Sequence, residues 1–327
     1  MDWTETTVFT ESIKIRRLPL SPRHTASRDS AIIRVMLSGV GPMTTIDQFE
    51  SVFLSADKAV FTHETVSFET FALVSDLDEE SGQRLTERCR GFLTAVDRPE
   101  SNWRHLGQGA YTSVKELLDA LAADTPDLIV TYRHLHSSAW HWPYSLGEYL
   151  DVMSQATAIP VLVLPHPEAG RESSHALNDT DQVLVITDHL TGDDRIVNTA
   201  LAFTDAGGTC RLSHIESSLA FERYMAAISK IPAIDSETAR ETLEAQLLKE
   251  PRDYIVSCRA AIEAKGLPVT IDETVTMGRR LDEYRRLVEA HEIDLLVMHT
   301  KDEDQMAMHG MAYPLAVELR QIPLLLL

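Results

Sequence analysis

Cysteine is scarce in this sequence. Its three residues, Cys89, Cys210 and Cys258, lie too far apart to form a paired metal or redox motif. They are expected as small buried side chains in a reducing compartment. Positive charge is also short: 30 Lys and Arg face 50 Asp and Glu, a net −20. The clustered basic surface that nucleic acid or an anionic membrane requires is therefore not expected. No run approaches the roughly 18 apolar residues of a membrane-spanning helix. The first residues, with Asp2, Glu5 and Glu11, lack the apolar core of a secretory signal, so a cytoplasmic location is expected. Also missing are a nucleophile elbow, a Walker loop, a zincin motif and carboxylates paired at helical spacing. An enzyme with a dedicated catalytic centre is not expected.

What is present is a repeat. Residues 281–327 read as an amphipathic helix, Asp294-Leu295-Leu296-Val297, a polar loop, a second helix, and Ile322-Pro323 running into leucines. Residues 114–164 follow the same order, through Asp127-Leu128-Ile129-Val130 and Ile159-Pro160 into Val161-Leu162-Val163-Leu164. Val114 precedes Asp127 by 13 residues, as Leu281 precedes Asp294. Gly147 precedes Pro160 by 13, as Gly310 precedes Pro323. A repeat of this size in 327 residues predicts two domains, each able to bury a core. The expected division is an extension at 1–30, a first domain at 31–165, a polar linker at 166–180 and a second domain at 181–327.

Strands and helices alternate in each half. In the first, strands are expected at 31–37, 65–74, 102–109, 127–132 and 160–164, with helices at 45–56, 80–96, 112–123 and 146–156. In the second, strands are expected at 182–187, 209–215, 269–275, 294–298 and 323–327. Helices are expected there at 193–206, 236–265 (broken near Pro251), 280–290 and 307–320. The pattern predicts an α/β fold: two tandem open parallel five-stranded sheets with helices on both faces, Rossmann-like. Ligands in such sheets sit beyond the strand carboxyl ends where the winding reverses. That singles out loops 38–43 and 132–145 in the first half, and 188–193 and 299–309 in the second. The last strand of each half is too apolar for an open edge, so the two are expected to meet.

The chain resembles the universal stress protein family in tandem form, over roughly 31–165 and 181–327. The carrying residues are Val183-Leu184-Val185-Ile186-Thr187-Asp188, Asp294 to Met298, and Gly310 through Pro323 to the leucines, echoed by Asp127 to Val130 and Gly147 through Pro160 to Leu164. The resemblance implies a fold like the adenine-nucleotide alpha hydrolases. Nucleotide-binding members carry an Asp ending the first strand, near the nucleoside, and Gly-x2-Gly-x9-Gly before Ser or Thr after the fourth. Glycines there let backbone N–H groups face the phosphates. Asp188 matches the first element. His299 and Asp302 stand for two glycines, Met311 for the hydroxyl residue, and the loop is two residues shorter. Asp302, Glu303 and Asp304 add negative charge where a triphosphate would lie. In the first half Ser38 and Gly39 stand where the Asp would be, Tyr132 and Leu135 replace glycines, and Glu148 replaces Ser. Trp140 and Trp142 are available to fill that crevice.

The resemblance thus implies degenerate crevices, with Asp188, His299, Thr300 and Gly310 lining what remains in the second half. No cofactor is expected and ATP binding is read as lost; weak ATP or AMP binding or hydrolysis through Asp188 is the alternative. A second alternative is a metal-binding module at His134, His136 and His141, which could share one zinc ion. His299 and His309, flanking Asp302 and Asp304, could likewise hold a divalent ion. The leading expectation is a non-catalytic stress-response or regulatory protein. It would act through protein partners or a small-molecule ligand, its domains meeting as an intramolecular pseudo-dimer, with a further homodimer open.

Overall fold

The computed structural model describes residues 58–142, 144–170, 173–300 and 312–327. The expected extension at 1–30, strand at 31–37, helix at 45–56 and most of loop 299–309, with Gly310 and Met311, lie outside the described residues.

The first half runs β1 (Thr70–Val74), α1 (Glu79–Phe92), β2 (Asn102–Leu106), α2 (Val114–Ala123), β3 (Leu128–Tyr132), α3 (Glu148–Ala156), β4 (Val161–Leu164). The second runs β5 (Gln182–Ile186), α4 (Asp194–Phe203), β6 (Thr209–Ser217), α5 (Ser218–Ile228), α6 (Ser236–Lys265), β7 (Thr270–Gly278), α7 (Arg280–Ala290), β8 (Leu295–Met298), α8 (Ala312–Glu318), β9 (Leu324–Leu326). These strands form one sheet in the order β2-β1-β3-β4-β9-β8-β5-β6-β7. Among the described strands all pairings are parallel except β4–β9, which is antiparallel, with Val161, Leu162 and Val163 opposite Leu326, Leu325 and Leu324. The class is the α/β fold the alternation predicts. The two five-stranded sheets are instead fused into one mixed sheet of nine described strands, because the apolar last strands satisfy each other's backbone groups.

Asp127 and Asp294 anchor both halves in the same way. The Asp127 N–H donates to Thr70 O and the Asp294 N–H to Gln182 O, each at 2.9 Å. The Asp127 carboxylate accepts the Glu69 and Thr70 N–H groups and the Thr70 hydroxyl, each at 2.9 Å, and Asp294 accepts the Gln182 N–H at 3.0 Å. Phe71 lies opposite Leu128 as Val183 lies opposite Leu295. So β1 holds the place of β5, the first-strand position, and pairs directly with β3. The sequence had put 65–74 second, behind 31–37.

Residues 58–69 run extended across the second half. Phe61 N–H donates to Ser257 Oγ at 3.0 Å, Glu64 N–H to Asn198 Oδ1 at 3.0 Å, and Phe68 meets Phe203 edge-on at 5.1 Å. The expected linker is equally tied down: Ser173 N–H donates to Gln321 O at 3.1 Å, and Leu177 joins the core. α6 is continuous through Pro251, which is buried within it, so the expected break is absent. α5 was not expected. Its Phe221, Met225 and Ile228 pack with Leu243 and Met277 as a satellite core. Cys89, Cys210 and Cys258 are free and buried, and burial pushes the thiols of Cys89 and Cys210 up to about 12. No helix among the described residues is long and apolar enough to cross a membrane.

Leu325 is fully buried opposite Leu162. Leu325→Asp places an unpaired carboxylate in that seam and is expected to cost about 4 kcal/mol or more in urea unfolding. A loss below about 1 kcal/mol would show that the seam is not part of the cooperative fold.

Candidate functional site

In the second half Ile186 lies opposite Met298, so Asp188 and the pair His299-Thr300 emerge side by side at the carboxyl ends of β5 and β8. A cavity of 790 Å³ opens there, lined by Asp188, Asp193, Arg195, His299 and Thr300, and by Ser154 and Thr157 from the end of α3. Its polar groups are already engaged. Asp188 Oδ1 accepts from Arg280 Nη1 at 2.5 Å, and Arg280 Nε donates to Ile215 O at 2.8 Å. His299 Nε2 lies 2.7 Å from Asp193 Oδ2, while Asp193 Oδ1 caps α4 through the Ile196 N–H. Thr300 donates both its N–H (3.0 Å) and its hydroxyl (3.1 Å) to Leu327 O. Asp188, His299 and Thr300 are therefore brought together; Gly310 lies outside the described residues.

The equivalent crevice of the first half shows what the sequence reading missed. Asp76 follows β1 as Asp188 follows β5, each six residues past the first residue of its strand. Asp76 stands beside the fourth-strand loop, while Ser38 and Gly39, expected there from the sequence, lie outside the described residues. The matching triplets Val74-Ser75-Asp76 and Ile186-Thr187-Asp188 were the available signal. The Tyr132 hydroxyl donates to Asp76 Oδ1, and the His136 N–H donates to Oδ2 at 2.8 Å. Burial, reinforced by that bond, holds the Tyr132 hydroxyl far above its ordinary range.

A cavity of 270 Å³ remains beside Asp76, bounded by Tyr132, His136, Trp140 and His166. Trp140 is sandwiched between His141 (3.7 Å) and His166 (4.8 Å), and so does fill part of the crevice. Trp142 does not; it is 62% exposed. His166 Nδ1 accepts the Glu168 N–H at 3.2 Å, and burial lowers the imidazole to about 4, so it is neutral at pH 7 with its proton on Nε2.

His134, His136 and His141 part company. His134 and His136 both have left-handed backbone, φ 61° and 58°. His134 is buried against Gly147, His136 sits edge-on to Tyr111 at 5.2 Å, and His141 stacks on Trp140. The group of three or more potential ligands that converges among the described residues is a different one, Asp179, Asp181 and Asp294. Asp294 there is raised to about 8, by burial first and then by the neighbouring carboxylates against its Gln182 bond. Gly147 is the residue that seats the histidine loop. Its φ is 92°, and a Cβ would come within 2.8 Å of the His134 backbone.

No protein-family model matches the sequence, and no curated protein matches it. Among solved structures, a universal stress protein from Archaeoglobus fulgidus is 13% identical, with a TM-score of 0.44 over 80% of this chain and 98% of its own. A functionally unknown protein from Pseudomonas aeruginosa is 12% identical, with a TM-score of 0.46 over 80% of this chain and 92% of its own. At these scores neither likeness bears on function.

Two tests follow from the first crevice. Gly147→Ala is expected to cost about 2–4 kcal/mol, more than Gly109→Ala, which shares a positive φ but has open space around it. Equal losses in chemical denaturation would remove the close approach as the reason. Because folded His166 resists protonation, the unfolded chain binds the extra proton below about pH 6.5. Stability should therefore fall by about 2–3 kcal/mol as pH drops from 6.5 to 4. His166→Gln should flatten that slope; an unchanged slope would assign it to other groups.

Proposed function

We propose that this chain is a non-catalytic regulatory protein of the universal stress protein type, acting through protein contacts or a small ligand rather than turnover. In this reading its halves are tandem copies that form an intramolecular pseudo-dimer across β4 and β9. The observation that carries it is the fate of the two equivalent aspartates. Each stands where the resembling family receives a nucleoside, and each is held by the chain's own groups: Asp188 by Arg280, Asp76 by Tyr132 and the His136 N–H. A nucleoside would have to displace a charge-assisted bond in one half and enter a crevice narrowed by Trp140 in the other.

The second reading, weak ATP or AMP binding in the second half, is favoured by one feature. The 790 Å³ beside Asp188 falls within the size range of small-molecule sites. Thermal denaturation with millimolar ATP, and separately AMP, decides between them, since a ligand of the folded state raises the midpoint by mass action. No shift is expected for the native chain. A shift that vanishes in Asp188→Ala would replace the first reading with the second. Arg280→Met, which releases Asp188, is the variant in which a nucleotide response should first appear.

A further inference from the structure

Residues 58–68 lie in no helix or strand, and among the described residues none of their main-chain groups bonds another main-chain group. Side chains of α4 and α6 bind them instead. The Phe61 N–H donates to Ser257 Oγ at 3.0 Å, and the Thr62 N–H to Asp194 Oδ2 at 3.1 Å. Lys265 Nζ donates to His63 O at 2.9 Å. Asn198 bonds twice: its Nδ2 donates to Thr62 O and its Oδ1 accepts the Glu64 N–H, both at 3.0 Å. A residue of a neighbouring parallel strand would make the same two bonds around His63, so the Asn198 amide stands in for a strand edge. Residues 61–64 are thus read through their main chain, which every sequence shares.

Side-chain identity enters at the aromatic anchors. Phe61 is 4% exposed and meets Tyr254 edge-on at 6.3 Å, and Phe68 meets Phe203. Val60, Thr62 and Glu64 are exposed. The receiving groups are held by their own half. Asp194 Oδ1 accepts from the Tyr254 hydroxyl at 2.6 Å, which leaves Oδ2 for the Thr62 N–H. The Ser257 hydroxyl donates to Tyr254 O at 2.7 Å and accepts the Phe61 N–H. Release of this strap breaks no described sheet pairing and leaves the groove in its receiving arrangement.

We propose that the groove between α4 and α6 docks an extended segment of a partner protein, with an aromatic residue in the place of Phe61, and that residues 58–68 fill it as a built-in competitor. Main-chain bonds joined to a side-chain pocket are how extended peptides dock on sheet edges, and here side chains supply the edge. A basic residue three positions before the aromatic would keep the register of Lys58, whose Nζ lies 3.1 Å from Asp253 Oδ2. That pair is exposed and adds little affinity. A second copy of the chain would have to release its own strap and would gain no groove contact that one chain lacks. A different protein is therefore the occupant. The inference concerns groups that the regulatory reading does not use, and it stands without that reading.

The test is fluorescence anisotropy of a labelled peptide with the sequence of residues 58–68, titrated with the full chain, native and Phe61→Ala. The substitution empties the aromatic pocket and weakens the tethered competitor. The Phe61→Ala chain should therefore bind the peptide saturably, about tenfold or more tightly than the native chain. A peptide carrying Glu64→Pro, which lacks the N–H that Asn198 accepts, should bind about tenfold more weakly. If the Phe61→Ala chain does not fold, Glu64→Pro in the chain loosens the strap with both aromatic anchors kept. If neither folds, the strap is obligatory core and the proposal fails. Equal binding to native and loosened chains, binding to neither, or equal binding of the two peptides overturns it. A native dimer that dissociates in Phe61→Ala would assign the groove to a second copy and also overturn it. An ATP response in the native chain bears on the regulatory reading alone, so the two failures are distinguishable.

Discussion

The antiparallel contact between β4 and β9 sets the geometry of everything else. Three residue pairs join two parallel arrays that would each end in an exposed apolar strand. Because the join is antiparallel, the strands of one half run opposite to those of the other. Their carboxyl ends, and so the two crevices, lie at opposite edges of the sheet. The same inversion brings each half's last helix to the other half's crevice. That is why Ser154 and Thr157 wall the space beside Asp188, and why Arg133 and Arg320 reach across the seam, Arg320 Nη1 to Trp140 O at 3.4 Å.

Much of this was legible. The spacing of 13 residues from helix start to Asp, and again from Gly to Pro, is the pattern from which a repeated unit was expected, and the structure gives three of those landmarks a physical task. Asp127 and Asp294 hold the neighbouring strand through its first N–H, and Gly147 admits a loop backbone where no Cβ would fit. What the pattern could not give was strand order. An apolar stretch such as 31–37 satisfies the same periodicity as 70–74, and periodicity says nothing about which strand lies beside β3. The choice is made by hydrogen bonds that Glu69 and Thr70 donate to the Asp127 carboxylate, contacts between residues nearly sixty positions apart. With the order displaced, the equivalence of Asp76 and Asp188 was hidden, although both triplets were in plain view.

The histidine run shows a different limit. Three imidazoles within eight residues look like a ligand set because sequence proximity is read as spatial proximity. Left-handed backbone at His134 and His136 turns successive side chains away from one another, and Asn, Asp and His are the non-glycine residues that adopt it most readily. The run thus folds as a compact loop whose rings are spent on packing. Proximity in sequence becomes convergence only when a regular helix or strand imposes it.

Closing the sheet at its centre leaves the outermost of the described strands to be protected, and α6 covers one of them. Arg259 Nε donates to Ile271 O and Arg252 Nη2 to Val275 O, both at 3.1 Å, so two carbonyls of β7 are covered by one helix. The spacing suits the task. Seven residues of helix bring a side chain back to the same face after roughly 10 Å, and four residues of strand return the same orientation after roughly 13 Å. An interruption at Pro251 would have broken this alignment at the residue before Arg252. The proline is instead kept inside the helix and buried, and the helix continues past the one hydrogen bond it cannot make. The unbroken length of α6 therefore lets one helix cover two carbonyls of β7, beside the charges of Asp272 and Glu273 on the strand itself.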